Sequence, residues 1–226
     1  MNAELITTRI ANLQQSIPAN VTLMGVSKGV SADEVRVAYA AGLRHFGESR
    51  IQEAEPKQAE LSDLDDISWH LIGHLQTNKA KKALQHFDWI DSVDRLALAQ
   101  RLHRLAGALT RDVPYVPPVQ VCLQVKLAPD PNKYGWTPAE LERDLPELAS
   151  LSHIHIRGLM AILPMGCDAR KSLTLFRELH DLRDRLQSKP AIGLDLPVLS
   201  MGMSGDYQQA IAAGATIVRV GRGIFR

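Results

Sequence analysis

Short apolar runs recur along the chain, separated by longer stretches in which apolar residues return every three or four positions. Eight runs stand out: VTLMGV (21–26), LRHFG (43–47), SWHLIG (68–73), DWIDSV (88–93), VQVCLQVKL (119–127), HIRGLMAIL (155–163), LPVLSMGM (196–203) and TIVRVG (216–221). Most are too short to be buried helices and are rich in β-branched residues, so they predict strands. Helix starts between them have a mechanism. In SADE, Ser31 caps a helix while Glu34 reaches back to the cap amide, and in TPAE Thr137 and Glu140 repeat that box with Pro138 in the first turn. Val35, Ala38 and Tyr39 share one helix face, and Gly42 and Gly214 suit left-handed helix ends.

Strands alternating with helices predict a parallel sheet covered by helices. AYAAGLRHFG (38–47) and AIAAGATIVRVG (210–221) both read helix, Ala-Ala-Gly, strand, Gly, which supports repeated units of one kind. Eight strands in 226 residues suggest an α/β fold consisting of a single (β/α)8 TIM-type barrel spanning residues 1–226. A first helix at about residues 2–16 then takes the place beside strand eight that a closing helix would occupy. An open doubly wound sheet is the alternative.

Composition changes this picture little. Hydrophobic residues make up 45% and charged residues 23%, with a formal charge of +1, so no global pull towards nucleic acid or anionic membrane is implied. The basic run NKAKKAL (78–84) reads as a solvated helix face, and nucleic-acid binding has no support beyond it. Cys122 and Cys167 are too few for a disulfide framework and show no metal-ligand spacing; Cys122 lies in an apolar run as a small hydrophobe. The N-terminal residues lack a secretory pattern and no stretch approaches 18 apolar residues, so a reduced cytoplasm is expected.

Candidate chemistry collects after the strands. In TLMGVSKGVSADE (22–34) Lys28 ends an apolar run, and lysine is almost never buried without a partner. Alone it reads as an ordinary strand-end lysine. SMGMSGD (200–206) and VGRGIFR (220–226), after strands seven and eight, bring small residues and backbone N–H groups to the usual phosphate position of such barrels. A lysine facing a phosphate cradle suggests a phosphorylated aldehyde or ketone held as an imine. Strand-end burial beside Met24 and Val26 would make the amine nucleophilic by desolvation, and Arg219 would supply a neighbouring cation or contact a cofactor ring.

The motifs GVSKGVS, FGESRIQE, HLIGHLQTNK, VKLAPDPNKYGW, RGLMAILP and LSMGMSGDYQQAIAAGATIVRVGRGIF, in this order from about residue 5 to 225, resemble the pyridoxal-phosphate homeostasis proteins. These are similar to free-standing alanine-racemase N-terminal barrels (fold-type III, without the C-terminal β-domain). The resemblance implies that Lys28 forms an internal aldimine with pyridoxal 5′-phosphate (PLP). It places Ser204, Gly221 and Arg222 at the phosphate and Arg219 beside the pyridine nitrogen; His74 lies in a matching motif without an assigned contact. Two positions depart from the family. Ser49 stands where FGEN has asparagine near the 3′-oxygen, and Arg222 replaces a common threonine, losing a hydroxyl contact but keeping its backbone N–H.

By that resemblance the protein holds and delivers PLP without turnover, with no catalytic residue and no metal. PLP-requiring apo-enzymes are candidate recipients, and a monomer is implied because the racemase second domain, one dimer surface, is not expected. An arginine at the ring nitrogen disfavours its protonation and makes a poorer electron sink. One alternative is a PLP-dependent racemase, which needs a second acid–base group across from the lysine. Of the four tyrosines, Tyr39 reads as helix face, Tyr115 as pre-strand loop and Tyr207 as first-turn helix. Tyr134 alone could overhang the site, although an exposed loop aromatic is its commoner reading. The other alternative is a PLP-free Schiff-base lyase. His45, His70, His153 and His155 read as structural, Asp130 and Asp206 as setting a turn and a helix start, and Trp136 as either loop cover or packing.

Overall fold

Each of the eight apolar runs forms a strand in the computed structural model, which describes residues 3–112, 118–130, 133–189 and 193–226. They are β1 (Thr22–Val26), β2 (His45–Glu48), β3 (Ser68–Leu71), β4 (Trp89–Val93), β5 (Gln120–Val125), β6 (His155–Ala161), β7 (Val198–Met203) and β8 (Ile217–Val220). All pairings are parallel and follow chain order. β8 returns to β1 in the register Thr22↔Ile217 to Gly25↔Val220, which closes the barrel and excludes the open sheet. Some strands end before their apolar run does. Ile162 and Leu163 follow β6 as loop and line a cavity instead of continuing the ladder.

The helices are α1 (Ala3–Ser16), α2 (Ala32–Ala40), α3 (Ile51–Glu60), α4 (Ala80–His86), α5 (Leu96–Asp112), α6 (Pro138–Ala149), α7 (Ala169–Gln187), α8 (Tyr207–Ala212) and α9 (Arg222–Phe225). Both capping boxes form, Ser31 with Glu34 on α2 and Thr137 with Glu140 on α6, satisfying N–H groups that a helix start leaves free. Gly42 and Gly214 have φ of +98° and +89°, as a left-handed helix exit requires. α1 buries Ile6 and Ile10 and packs against α2 and α9, where Arg9 Nη1 donates to the Ile224 carbonyl. The basic run lies on α4, with Lys81 and Lys82 exposed and Lys82 paired to Glu55.

Two separate interiors result. Alternate strand residues (Leu23, Leu71, Ile90, Val121, Leu123, Leu159, Leu199, Val218) join helix residues such as Leu141 and Leu179 in the main apolar cluster between barrel and helices. The residues between them face the lumen, where Met24, Cys122 and Met160 share space with buried His70, Asp91, Ser200 and Arg219. Such lumens are usually filled by Val, Ile and Leu; this one is largely polar.

Packing is close where β6 meets β7. A Cβ on Gly158 would lie 1.9 Å from the Val198 carbonyl oxygen, a backbone atom that cannot swing aside. Gly158→Ala is therefore expected to destabilise the barrel by about 1–3 kcal/mol, measured as a lower midpoint in chemical denaturation.

Candidate functional site

A cavity of about 690 Å³ opens at the C-terminal ends of the strands. All six residues singled out from the sequence line it: Lys28 after β1, Ser49 after β2, Ser204 after β7, Arg219 within β8, and Gly221 with Arg222 beyond β8. Barrel closure sets the ends of β1 and β8 side by side, because the two strands pair directly, and Gly221 lies against Val26.

Lys28 is exposed at the cavity, which corrects the expectation that burial beside Met24 and Val26 desolvates its amine. The space above the strand end is open, so water reaches it. What the protein fixes is the backbone before it. Lys57, on α3, donates from Nζ to the Ser27 carbonyl at 2.7 Å and to Glu48 Oε1 at 2.5 Å, and Ser27 Oγ donates to the same oxygen at 2.7 Å. Ser27, Glu48 and Lys57 are all buried, and Glu48 Oε2 has no hydrogen-bond partner among the described residues.

Across the cavity the donors gather. Ser204 Oγ accepts from Gly223 N at 3.4 Å, and the Arg222 N–H, in the first turn of α9, has no intrahelical acceptor. Asp206 sits at the start of α8 but makes no side-chain cap; its Oδ1 accepts the Met203 N–H at 2.6 Å, turning its charge into the preceding turn. Hydroxyl, free backbone N–H and exposed guanidinium form a donor set that fits a phosphate dianion. With an amine on one wall and a buried arginine in the floor, the residues present fit PLP.

Arg219 is 2% exposed and held from both sides: Nη1 donates to Ser200 Oγ at 2.9 Å and Nη2 to the Ala161 carbonyl at 2.7 Å. Ser200 has one hydroxyl hydrogen, and since Arg219 only donates, that hydrogen goes to Asp91 Oδ2 at 2.9 Å. Asp91 Oδ1 accepts from His70 Nδ1 at 2.9 Å, and His70 Nε2 meets His45 Nδ1 at 3.0 Å. A chain of polar contacts thus crosses the lumen from cavity floor to the opposite end. Burial would raise the Asp91 carboxyl, but the His70 charge, hydrogen bonds from His70 and Ser200, and Arg219 outweigh it and lower it. Burial lowers the Arg219 guanidinium, while Asp91 opposes that shift. Burial likewise pushes the Cys122 thiol up, leaving it an apolar filler.

The loop after β5 divides its aromatics. Trp136 turns into the core at 4% exposure with Nε1 on Asp144, so it packs and does not cover the site. Tyr134 does both things weighed for it: it is 54% exposed, and it lines the cavity, stacked on His74 at 3.7 Å between ring centroids. Tyr39 bonds Asp66 from its helix face, Tyr207 opens α8, and Tyr115 lies outside the described residues. His45 and His70 belong to the lumen chain, His153 stacks on His103, and His155 is exposed. The Lys133 N–H donates to the Asp130 carbonyl at 3.2 Å.

Sequence reasoning missed the residues behind the site: Asp91 and Ser200 behind Arg219, Glu48 and Lys57 behind Lys28, and Asp94 behind His74. The available signal was a charge inside an apolar strand run, in HFGE and DWIDSV.

A lysine after β1 and donors after β7 and β8 thus share one cavity of a closed (β/α)8 barrel, and comparison with known proteins gives the family of that barrel. The profile of the alanine racemase N-terminal domain matches residues 1–226. The pyridoxal phosphate homeostasis protein of Synechocystis sp. PCC 6803 is 47% identical over 210 residues, 93% of each chain. PipY of Synechococcus elongatus PCC7942, solved with PLP bound, superposes with a TM-score of 0.90 at 51% identity, covering 98% of this chain and 100% of that one. The alanine racemase of Clostridium difficile 630 shares the fold alone, at 12% identity and a TM-score of 0.77, with 56% of its chain covered. The chain belongs to the alanine racemase N-terminal domain family, on the branch of the pyridoxal phosphate homeostasis proteins.

The lumen chain has a pH signature. Burial first, and the His70 charge second, push the His45 imidazole from 6.5 down to about 4. As pH falls through that window the unfolded chain takes up a proton that the folded chain refuses, so stability present above 6.5 is progressively lost. Thermal melts between pH 7 and 4 are expected to show a shallower fall for His45→Asn than for the unmodified protein; parallel curves would contradict this.

Proposed function

We propose that the chain, as one barrel unit over residues 1–226, binds PLP covalently through Lys28 and acts in intracellular PLP homeostasis, holding and delivering the cofactor without turnover of its own. The observation that carries this reading is the meeting of Lys28, Ser49, Ser204, Arg219, Gly221 and Arg222 around one cavity. When bound, PLP supplies an aldehyde for an amine to capture and a pyridine ring that is an electron sink once protonated. Ser204, Gly221 and Arg222 take the phosphate, Arg219 faces the ring nitrogen, and Ser49 lies towards the 3′-oxygen. The PLP-bound PipY structure and the homeostasis relatives support PLP as the ligand.

Arg219 also argues against broad carbanion chemistry, though not against racemisation. Anchored to Ser200 and Ala161 and balanced by Asp91, the guanidinium stays in the cavity floor, and a fixed cation there disfavours protonation of the ring nitrogen. The proposal includes PLP-requiring apo-enzymes as recipients, a monomeric state and a cytoplasmic location; among the described residues, no helix is long and apolar enough to cross a membrane. A racemase reading has one observation in its favour, Tyr134 lining the cavity.

The test is the visible spectrum of the purified protein with PLP, before and after borohydride, beside Lys28→Ala. A yellow band that borohydride abolishes, fixing the cofactor to Lys28, is expected; Lys28→Ala stays colourless. A wild-type protein that remains colourless sinks the PLP reading. Exchange of the α-hydrogen of added amino acids would replace the carrier with the racemase.

A further inference from the structure

Beyond the groups assigned to the cofactor, the cavity wall carries a second built unit. His74, between β3 and α4, has a side chain 28% exposed that lines the cavity. Its Nδ1 lies 2.8 Å from Oδ2 of Asp94, a buried residue just after β4. Asp94 Oδ1 accepts from Arg95 Nη1 at 2.5 Å, and Arg95 Nη2 donates to Thr77 Oγ1 at 2.8 Å. Tyr134 covers one ring face at 3.7 Å.

Each contact constrains the imidazole. A carboxylate paired with an arginine only accepts, so the His74 hydrogen sits on Nδ1 and the neutral ring keeps its lone pair on Nε2. No hydrogen bond to Nε2 is found among the described residues. The carboxylate behind the ring also stabilises the imidazolium that forms when Nε2 takes a proton, and the Tyr134 stack limits rotation. Three other charged residues on the wall lack this support: Asp206 is engaged by the Met203 N–H, and Arg219 and Arg222 do not give up protons. Imidazole is the side chain whose ordinary titration lies nearest neutral pH.

We propose that His74 is the proton-transfer group for capture and release of an aldehyde at Lys28, with Asp94 as its positioning residue. The inference rests on the reading of the cavity as a PLP site. In capture, the Lys28 ammonium gives one proton to His74 Nε2 by way of water in the cavity both residues line, and the freed lone pair forms the C–N bond while the carbonyl π pair moves to oxygen. His74 returns that proton to the oxygen, which takes a second one from nitrogen and leaves as water when the C–O bond breaks. Three hydrogens on nitrogen become one on the protonated imine and two in water, with no net proton change. Release is the same sequence reversed, with solvent water as the nucleophile.

A group that only moves protons lowers one barrier from both sides and leaves the equilibrium alone. This separates His74 from a residue that binds PLP. Stopped-flow capture of PLP, and its release on dilution into excess alkaline phosphatase, which destroys only free PLP, give both rate constants from the visible band. For His74→Asn both are expected to fall by about 100-fold, while Kd stays within about twofold. Added imidazole restores both rates in a His74→Ala variant. Asp94→Asn slows both in equal proportion. Folding of each variant is checked by circular dichroism and melting. Unchanged rates in a folded His74 variant would overturn the inference, as would a weakened Kd caused by release alone. A wild-type protein that never colours removes the PLP reading itself, so the two failures are distinguishable.

Discussion

Closure of the barrel through the β1–β8 pairing is the constraint on which the site depends. Lys28 follows residues 22–26 and the anion cradle follows residues 217–220, so neither half of the site exists without the other end of the chain. The pairing is short, from Thr22↔Ile217 to Gly25↔Val220. α1 reinforces it from outside by packing on α2 and α9, with Arg9 reaching the Ile224 carbonyl. A barrel that stayed open would leave Lys28 an ordinary strand-end lysine and the β8 glycines an ordinary turn.

Inside the closed barrel, the polar lumen does for Arg219 what the α3 clamp does for Lys28. A buried guanidinium is tolerated only when a counter-charge and full hydrogen bonding offset the lost hydration. Asp91 supplies the charge through Ser200, His70 occupies the carboxylate's other oxygen, and the Ala161 carbonyl accepts from the second terminal nitrogen, Nη2. The cavity therefore has a floor whose charge is fixed by five strands and an amine whose backbone is fixed by Glu48 and Lys57. The wall near Tyr134 and Met165 is built from exposed loop residues.

Local physics made much of this legible from the sequence. Strand and helix types follow from periodicity, and both capping boxes and both glycine exits formed where Ser31, Thr137, Gly42 and Gly214 indicated. Lys28, Arg219 and the loops after β7 and β8 were legible because barrel topology fixes where strand ends point, whereas the individual positions Ser49, Ser204, Gly221 and Arg222 came from the family resemblance. What was not legible depends on contacts between distant segments. Asp91 and Ser200 are 109 positions apart, and a carboxylate in DWIDSV gives no sign of its partner. The exposure of Lys28 and the inward turn of Trp136 depend on how neighbouring loops fill space, which periodicity does not encode.

The distance in sequence between the two halves of the site has a consequence for biosynthesis. A chain emerging from the ribosome presents Lys28 early, yet the cradle at Ser204, Gly221 and Arg222 arrives only with the final strand. Non-local parallel pairing is also slow to form, because loop closure costs entropy before any contact offsets it. A nascent chain thus offers an exposed amine with no cradle opposite it, and any free aldehyde it meets is held weakly. Specific retention of a phosphorylated aldehyde becomes a property of the finished barrel, and cofactor loading reports on completion of the fold.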